Sequence, residues 1–164
     1  MCIQSCSTFS KDSMKKLLFI LAFASLVTGC ASVKMEPHEN SDLKKQFLQP
    51  KAGHAALYTY RDSFMGRALK KDMWVDGKCI GESAPDVFFY TELPGNQSYV
   101  ISTESEFSPN KLSLFAKTGE NYFIQQYIKP GIFVGGADLE LMTNEQGKSA
   151  VTKLKLATSG NCSE

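Results

Sequence analysis

The sequence has few of the groups that catalysis needs. Its 164 residues include only two histidines, His38 and His54, and no Gly-x-Ser-x-Gly segment that would hold a serine nucleophile on a tight turn. His54 stands where an alternating apolar pattern begins, a position typical of a solvated or capping side chain. We therefore predict no catalytic residues and no enzymatic activity.

Charge and metal-ligand patterns are equally sparse. The net charge is +1 and no basic stripe runs along the chain, so no nucleic-acid partner is expected. The glycine-rich segment 129–136 lacks the Gly-Lys-Ser/Thr ending of a phosphate loop. No histidine or second Cys-x-x-Cys pair completes a tetrahedral zinc set. We predict no metal site and no cofactor.

One pair of carboxylates remains as a weak candidate for chemistry. Glu104 and Glu106 lie on the same side of an extended segment, and paired carboxylates serve glycoside hydrolysis or calcium binding. Charged residues at a strand end that leads into Pro109 are far more often simply exposed. The pair is therefore assigned no role.

The start of the chain carries the strongest signal. A basic stretch at residues 14–16 precedes an uncharged apolar run over residues 17–27, and small residues follow up to Cys30. This order is typical of a cleaved secretory signal, and the run is too short for a stable transmembrane helix. Residues 1–29 are thus predicted to be a signal peptide, with Met14 as the true start.

The segment Val27-Thr28-Gly29-Cys30 resembles the bacterial lipobox. The resemblance implies cleavage after Gly29, a diacylglyceryl group on the Cys30 sulfur and a further acyl chain on the new N-terminus. Two or three chains hold a small domain on a membrane stably. Ala31, where some lipoproteins of diderm bacteria have Asp, implies by the same resemblance a place on the outer membrane facing the periplasm. The alternative is an ordinary small residue that ends a signal or an apolar helix.

The rest of the chain divides into a polar segment and one domain. Residues 30–51 show little periodicity and are predicted to be the lipidated N-terminus and a tether, with a helical turn at 41–47. From residue 52 to 164 several short segments alternate apolar and polar residues, which is the period of a strand with one buried face. Their spacing of roughly 8–12 residues predicts an all-β domain, a small antiparallel β-sandwich or partly open barrel.

Turn residues separate these segments. Asp76-Gly77 is a strong hairpin signal, because a tight primed turn needs positive φ. Pro94-Gly95-Asn96 and the segment 118–121 mark two further turns. Thr143 or Asn144 can cap a short C-terminal helix.

Cys79 and Cys162 are the cysteines of the domain. In an oxidising periplasm such a pair favours a disulfide, which would tie the tail to the region near Lys78 and Ile80. It would close a loop of roughly 80 residues, for which the chain-entropy model gives about 4 kcal/mol. The alternative is two free thiols, one buried and one in a frayed tail.

One loop is a candidate partner-binding site. Ile132, Phe133 and Val134 form the centre of the glycine-rich segment, and large apolar groups in loops can mark a contact with a protein or a lipid surface. The alternative, which the sequence favours, is that glycines let this tip bend under the sandwich and cap its core.

Aromatic side chains offer a second candidate, a stacking platform for sugars. The rings in question are Trp74, Phe88, Phe89, Tyr90, Tyr99, Tyr122 and Tyr127. Because neighbouring residues of a strand point to opposite faces, the run 88–90 predicts at least one ring directed away from the buried face.

Four segments in succession, 56–61, 75–78, 93–95 and 122–126, resemble an uncharacterised bacterial family of small lipoproteins and exported proteins built on a domain of unknown function. The resemblance covers about residues 52–150. The pairing of a Val-Asp-Gly-Lys hairpin with a later Leu-Pro-Gly turn is also similar to PEGA-type surface modules, small β-sandwiches of bacterial envelopes. It implies a fold and not an activity.

Two functions are compatible with these patterns. The preferred one is an outer-membrane lipoprotein, anchored through Cys30, that acts as a non-enzymatic interaction or structural module of the cell envelope with an envelope protein as partner. The alternative is a protein that binds glycans or peptidoglycan fragments.

Overall fold

The computed structural model describes residues 31–163. The predicted signal peptide, residues 1–29, and the lipidation site Cys30 lie outside the described residues. Within them, neither helix is long and apolar enough to span a membrane. The elements in chain order are α1 (His38–Lys44), β1 (His54–Arg61), β2 (Lys71–Val75), β3 (Lys78–Ser83), β4 (Val87–Pro94), β5 (Gln97–Thr103), β6 (Asn110–Ala116), β7 (Asn121–Lys129), β8 (Gly136–Met142), α2 (Asn144–Val151) and β9 (Lys155–Leu156).

The strands form two sheets, which confirms the predicted all-β sandwich with a C-terminal helix. One sheet has the order β8-β7-β1-β4-β9 and the other the order β3-β2-β5-β6. The pairs β1–β7 and β4–β9 are parallel, which a purely antiparallel prediction did not include. Parallel neighbours need a long crossover connection, and here the chain passes through the second sheet between β1 and β7.

An apolar core fills the space between the sheets. Side chains from both sheets meet in it, including Leu57, Met73, Phe89, Ile101, Leu114 and Ile124, each at most 4% exposed. Alternate residues of each strand point into this layer.

A second apolar layer covers the other face of the five-stranded sheet. Tyr58, Tyr60, Phe88 and Phe123 point away from the second sheet and pack under α2 and the segment around Leu156. The sequence pattern of residues 56–60 predicted one wet face for β1, but both faces are buried because helices and the chain ends cover the outer one.

Residues 31–51, predicted to be a tether, lie against this outer layer. The Tyr58 hydroxyl donates a hydrogen bond to the carbonyl oxygen of Lys44 at 2.9 Å. The Phe47 ring contacts the rings of Tyr58 and Phe123, with centroids 5.5 and 5.8 Å apart. The boundary at residue 52 is therefore a change of sequence pattern, whereas the packed unit begins earlier.

The predicted turns and helix cap have the expected local geometry. Asp76 and Gly77 have φ values of 47° and 74°, as a primed hairpin turn requires. At the start of α2, the Gln146 N–H donates to the Thr143 hydroxyl at 3.3 Å, and the Thr143 N–H donates to the Gln146 side chain at 3.2 Å. This reciprocal capping box fixes the start of the helix.

Cys79 and Cys162 form a disulfide, which confirms the preferred interpretation of this pair. The C-terminal tail runs beside β3, where the Gly160 N–H donates to the Ile80 carbonyl at 2.8 Å. The tail is thus held by a covalent bond and by main-chain hydrogen bonds.

Candidate functional site

Three loops meet at one end of the sandwich, and we call this region the loop end. They are residues 62–70 between β1 and β2, residues 104–109 between β5 and β6, and residues 130–135 between β7 and β8. The parallel strands β1 and β7 both finish here. The first and third loops touch closely: a Cβ added to Gly135 would lie 2.7 Å from the Leu69 side chain.

The carboxylate of Glu106 holds the 130–135 loop. It accepts hydrogen bonds from the N–H groups of Ile132 at 2.7 Å, Val134 at 3.2 Å, and Phe133. Burial alone would raise the pKa of Glu106, but these three donors outweigh it, and the pKa lies below its usual value. A carboxylate bound by consecutive main-chain N–H groups fixes the path of the backbone.

The side chains of this loop point to solvent. Ile132, Phe133 and Val134 are 77%, 84% and 53% exposed. The favoured interpretation, in which the tip folds under the sandwich and caps its core, is therefore wrong. A Cβ at Gly131 would collide with the Val134 carbonyl oxygen, so the tight main-chain turn needs glycine at this position.

Further exposed apolar side chains on the neighbouring loops were missed in the sequence. Phe64 and Met65 are 82% and 54% exposed on the first loop, and Phe107 is 74% exposed on the second. In the sequence, these side chains stand in short connections that are otherwise made mostly of small or polar residues. That pattern could have identified them as exposed apolar side chains. With Ile132, Phe133 and Val134 they give the loop end six exposed large apolar side chains.

Arg61 holds the 62–70 loop from inside. It is fully buried, and its guanidinium donates to the carbonyl oxygens of Leu69 at 2.7 Å and of Gly66. Burial lowers the pKa of Arg61 to about 10, and the nearby Asp86 carboxylate opposes this shift. The sequence analysis assigned no role to Arg61, because arginine side chains are mostly exposed in proteins and no local pattern marks this one as buried.

A buried polar cluster ties the two sheets together behind the loops. The side-chain amide of Gln126 on β7 donates to the Thr103 hydroxyl on β5 at 2.6 Å and accepts from the Ser83 hydroxyl on β3. The Thr103 hydroxyl donates to the Asp72 carbonyl oxygen at 3.0 Å. Satisfied buried networks of this kind fix the position of neighbouring elements, here the strands that carry all three loops.

The predicted chemical candidates do not come together. Glu104 forms an ion pair with Lys71 at 2.9 Å, so it and Glu106 serve different partners. His54 lies at the start of β1, at the opposite end of the sandwich, with its ring nitrogen 3.1 Å from the Ala52 carbonyl oxygen. Within residues 31–163 no group of three or more His, Cys, Asp or Glu side chains is arranged to hold a metal ion.

The aromatic rings do not form a common platform. Phe88 and Phe89 are both buried, on opposite faces of β4. Phe88 points away from the core between the sheets, as predicted for one ring of this run, but the outer layer covers it and it is not exposed to a ligand. The Lys44 ammonium group lies 3.8 Å from the centroid of the Tyr90 ring and covers it. Tyr99 is buried. The half-buried Trp74, Tyr122 and Tyr127 lie on strands of two different sheets.

A groove of about 670 Å³ opens at the opposite end of the sandwich. It lies between β3 and β4, and Ile80, Leu93, Tyr99 and Gly160 are among its lining residues. Its walls are mostly apolar, with Lys78 and Glu92 near its mouth. Nothing in this lining resembles a nucleophile and its base.

Comparisons with known proteins give two matches. Residues 51–137 match the family described as "Protein of unknown function (DUF2846)". An "Uncharacterized protein" of Haemophilus influenzae strain Rd is 52% identical over 140 residues, which cover 85% of this chain and 83% of the relative. The family match begins just before β1 and includes all three loops of the loop end.

Proposed function

The chain belongs to the DUF2846 family, and from that premise we propose that it is an outer-membrane lipoprotein that faces the periplasm and acts as a non-enzymatic interaction or structural module of the cell envelope. The observation that carries the proposal is the loop end. There, six large apolar side chains are exposed on loops whose main chains are bound by Glu106 and Arg61.

The anchor is inferred from the sequence. A basic stretch, an uncharged apolar run and Val27-Thr28-Gly29-Cys30 follow one another, in the order of a lipoprotein export signal. Acyl chains on Cys30 would hold the domain at a membrane surface. The disulfide between Cys79 and Cys162 is compatible with an oxidising compartment such as the periplasm.

A contact role fits the chemistry of the domain better than catalysis. The carboxylates of the loop end are engaged by N–H groups or by a lysine, and the buried Gln126, Thr103 and Ser83 bind one another. Large exposed apolar groups that are clustered on rigid loops are typical of a surface that meets a partner.

We place the domain among small envelope β-sandwiches of the PEGA type. The support is the hairpin with positive φ at Asp76 and Gly77, followed by a second turn at residues 94–96 with φ of 59° at Asn96. This assignment concerns fold and location, and it carries no activity.

Photo-cross-linking in cells tests the proposal. A photoreactive phenylalanine analogue replaces Phe133 at the loop end or, as the matched control, Phe115, which is 52% exposed on β6. We expect position 133 of the full chain to capture an envelope component and position 115 to capture none. In a second experiment, membranes of cells that produce the Cys30→Ser variant are fractionated. We expect this variant to be absent from the outer-membrane fraction.

Two results would overturn the proposal. Equal capture at positions 115 and 133 would remove the loop end as a contact surface. A Cys30→Ser chain that stays in the outer membrane would remove the anchor. Murein fragments that the protein retains, but that are captured at neither position 133 nor position 115, would favour the glycan-binding alternative.

A further inference from the structure

We propose that the loop end lies directly on the bilayer that holds the lipid anchor, with its apolar tips in the headgroup and upper acyl region. This inference rests on the proposed anchor at Cys30 and names the contacted component as a lipid surface. It gives the domain one orientation: the three loops face the membrane, and the β2–β3 hairpin points away from it.

The place where the chain enters the domain carries the argument. The N–H of Ala31 donates to the carbonyl oxygen of Arg67 at 3.0 Å, so residue 31 lies on the 62–70 loop. Consecutive Cα atoms are about 3.8 Å apart. An anchor on the residue before Ala31, as proposed above, would therefore be attached next to the 62–70 loop.

The segment that follows the proposed anchor is hydrogen-bonded to the domain. The Thr158 N–H donates to the Lys34 carbonyl at 2.9 Å, and the Glu36 N–H donates to the Leu156 carbonyl at 2.9 Å. Residues 31–51 are thus bound to the sheet and cannot act as a long flexible spacer. A lipid on Cys30 would keep the loop end at the membrane.

The exposed apolar side chains of the loop end lie on the loop that binds Ala31 and on the other two loops. Phe64 and Met65 lie on the same loop as Arg67 and are 82% and 54% exposed. Ile132 and Phe133 lie on the loop that touches it through Gly135 and Leu69. Phe107 follows Glu106, whose carboxylate binds the Phe133 N–H. Three adjoining loops therefore carry the six apolar side chains, and the chain enters the domain on one of these loops.

A lipid surface suits these tips better than a protein pocket. The side chains project from three separate loops. Phe107 lines a small pocket of about 230 Å³ between the second and third loops, whereas the other five are not part of that lining. A fluid surface can accept side chains placed in this way without a matching shape. Phenylalanine side chains on an apolar face can enter the boundary between lipid headgroups and acyl chains. The main-chain N–H groups of residues 132–134 are already bound by Glu106, which avoids the cost of bringing free N–H groups near lipid.

Cations at the rim fit the same orientation. The Arg67 guanidinium lies 5.3 Å from the centroid of the Phe64 ring, and its side chain is 44% exposed beside Asp86. Lys70, at the end of the same loop, has a 40% exposed side chain and forms an ion pair with Glu82 at 3.0 Å. Basic groups beside apolar tips can reach lipid phosphates while the rings enter the interface.

Tryptophan fluorescence with brominated lipids tests the orientation. Phe133→Trp is made in a Trp74→Phe background of the full chain, and Phe115→Trp in the same background is the matched control. Each protein is reconstituted into phosphatidylethanolamine–phosphatidylglycerol vesicles with bromine on the acyl chains. We expect a blue shift and several-fold stronger quenching of the indole at position 133 than of the one at position 115.

Mass spectrometry of the N-terminal peptide separates the two claims. Acylated Cys30 with equal quenching at both positions would overturn the docking proposal and leave the anchor intact. Unmodified Cys30 in a protein that still floats with vesicles, and loses flotation on Phe133→Ser and Phe64→Ser, would overturn the anchor and support docking. Unmodified Cys30 without flotation would overturn both.

Discussion

Two charged side chains at the loop end, Glu106 and Arg61, bind main-chain groups of the loops. Glu106 accepts three consecutive N–H groups, and Arg61 donates to two carbonyl oxygens. Each ion replaces the water that an irregular loop would otherwise need for its backbone. The loops can therefore present apolar side chains without collapsing onto the core.

The Glu106 carboxylate should control the 130–135 loop in a pH-dependent way. The pKa of Glu106 lies below its ordinary value of 4.5 in the folded protein, so its contribution is present above that value and lost as the pH falls through the folded pKa. The amide resonances of Ile132, Phe133 and Val134 should titrate together below pH 4.5 in NMR spectra.

Glu106→Gln should shift these three amide signals at neutral pH and remove their titration. Glu104→Gln is the matched control, because the Glu104 side chain pairs with Lys71 and does not bind the loop, and the three amide signals should still titrate in that variant. A titration of the loop amides that survives Glu106→Gln would contradict the assignment.

Arg61→Leu should destabilise the fold by about 2–4 kcal/mol, because the buried carbonyl oxygens of Leu69 and Gly66 would lose a charged donor. Urea denaturation measures the change. Arg67→Ala removes an exposed ion pair with Asp86 and should cost less than about 1 kcal/mol. Equal effects of the two substitutions would show that Arg61 does not hold the loop.

At the scale of elements, the outer layer explains why residues 31–51 are folded. α1 is only seven residues long, too short to be stable alone. Its stability comes from contacts: Ser41 is buried and accepts from the Leu156 N–H at 3.2 Å, and the Lys44 ammonium group covers the Tyr90 ring. A polar sequence thus becomes ordered because the sheet offers it partners.

Phe47→Ala should lower the free energy of unfolding by about 2–3 kcal/mol, less than for a fully buried ring, since Phe47 is half-buried against Tyr58 and Phe123. Leu48→Ala is the control, because Leu48 is 60% exposed and should change stability by no more than about 0.5 kcal/mol. Thermal or urea unfolding that does not distinguish them would indicate that the segment is not packed in solution.

The disulfide attaches the C-terminal tail to β3. Replacement of both Cys79 and Cys162 by serine should cost about 2–4 kcal/mol, because it frees a long loop in the unfolded chain. Hydrogen exchange should also accelerate at Gly160, whose N–H donates to Ile80. Unchanged stability together with unchanged exchange would mean that the main-chain contacts alone hold the tail.

At the scale of the whole molecule, local features were predictable and distant ones were not. The hairpin at Asp76-Gly77 and the Thr143 cap depend on neighbouring residues, so the sequence contains their cause. The exposure of Phe133 depends on Glu106, which is 27 residues away. The parallel pair joins β1 and β7, and between these two strands the chain passes through the second sheet. Those outcomes follow from tertiary contacts that no local pattern records.

The same limit applies to the candidate site. Ile132, Phe133 and Val134 could be recognised in the sequence as apolar residues of a glycine-rich loop. Phe64, Met65 and Phe107 became candidates only in the structure, where their loops lie beside that loop. Ala31 follows the predicted export signal and binds the 62–70 loop. Its position therefore relates the proposed anchor to the exposed apolar side chains.

The most direct test of the account is the mass of the N-terminal peptide of the protein purified from outer membranes. We predict a peptide that begins at Cys30 and carries the acyl chains of a bacterial lipoprotein. A peptide that begins at any other residue, or an unmodified Cys30, would contradict the proposed lipid-anchored envelope module.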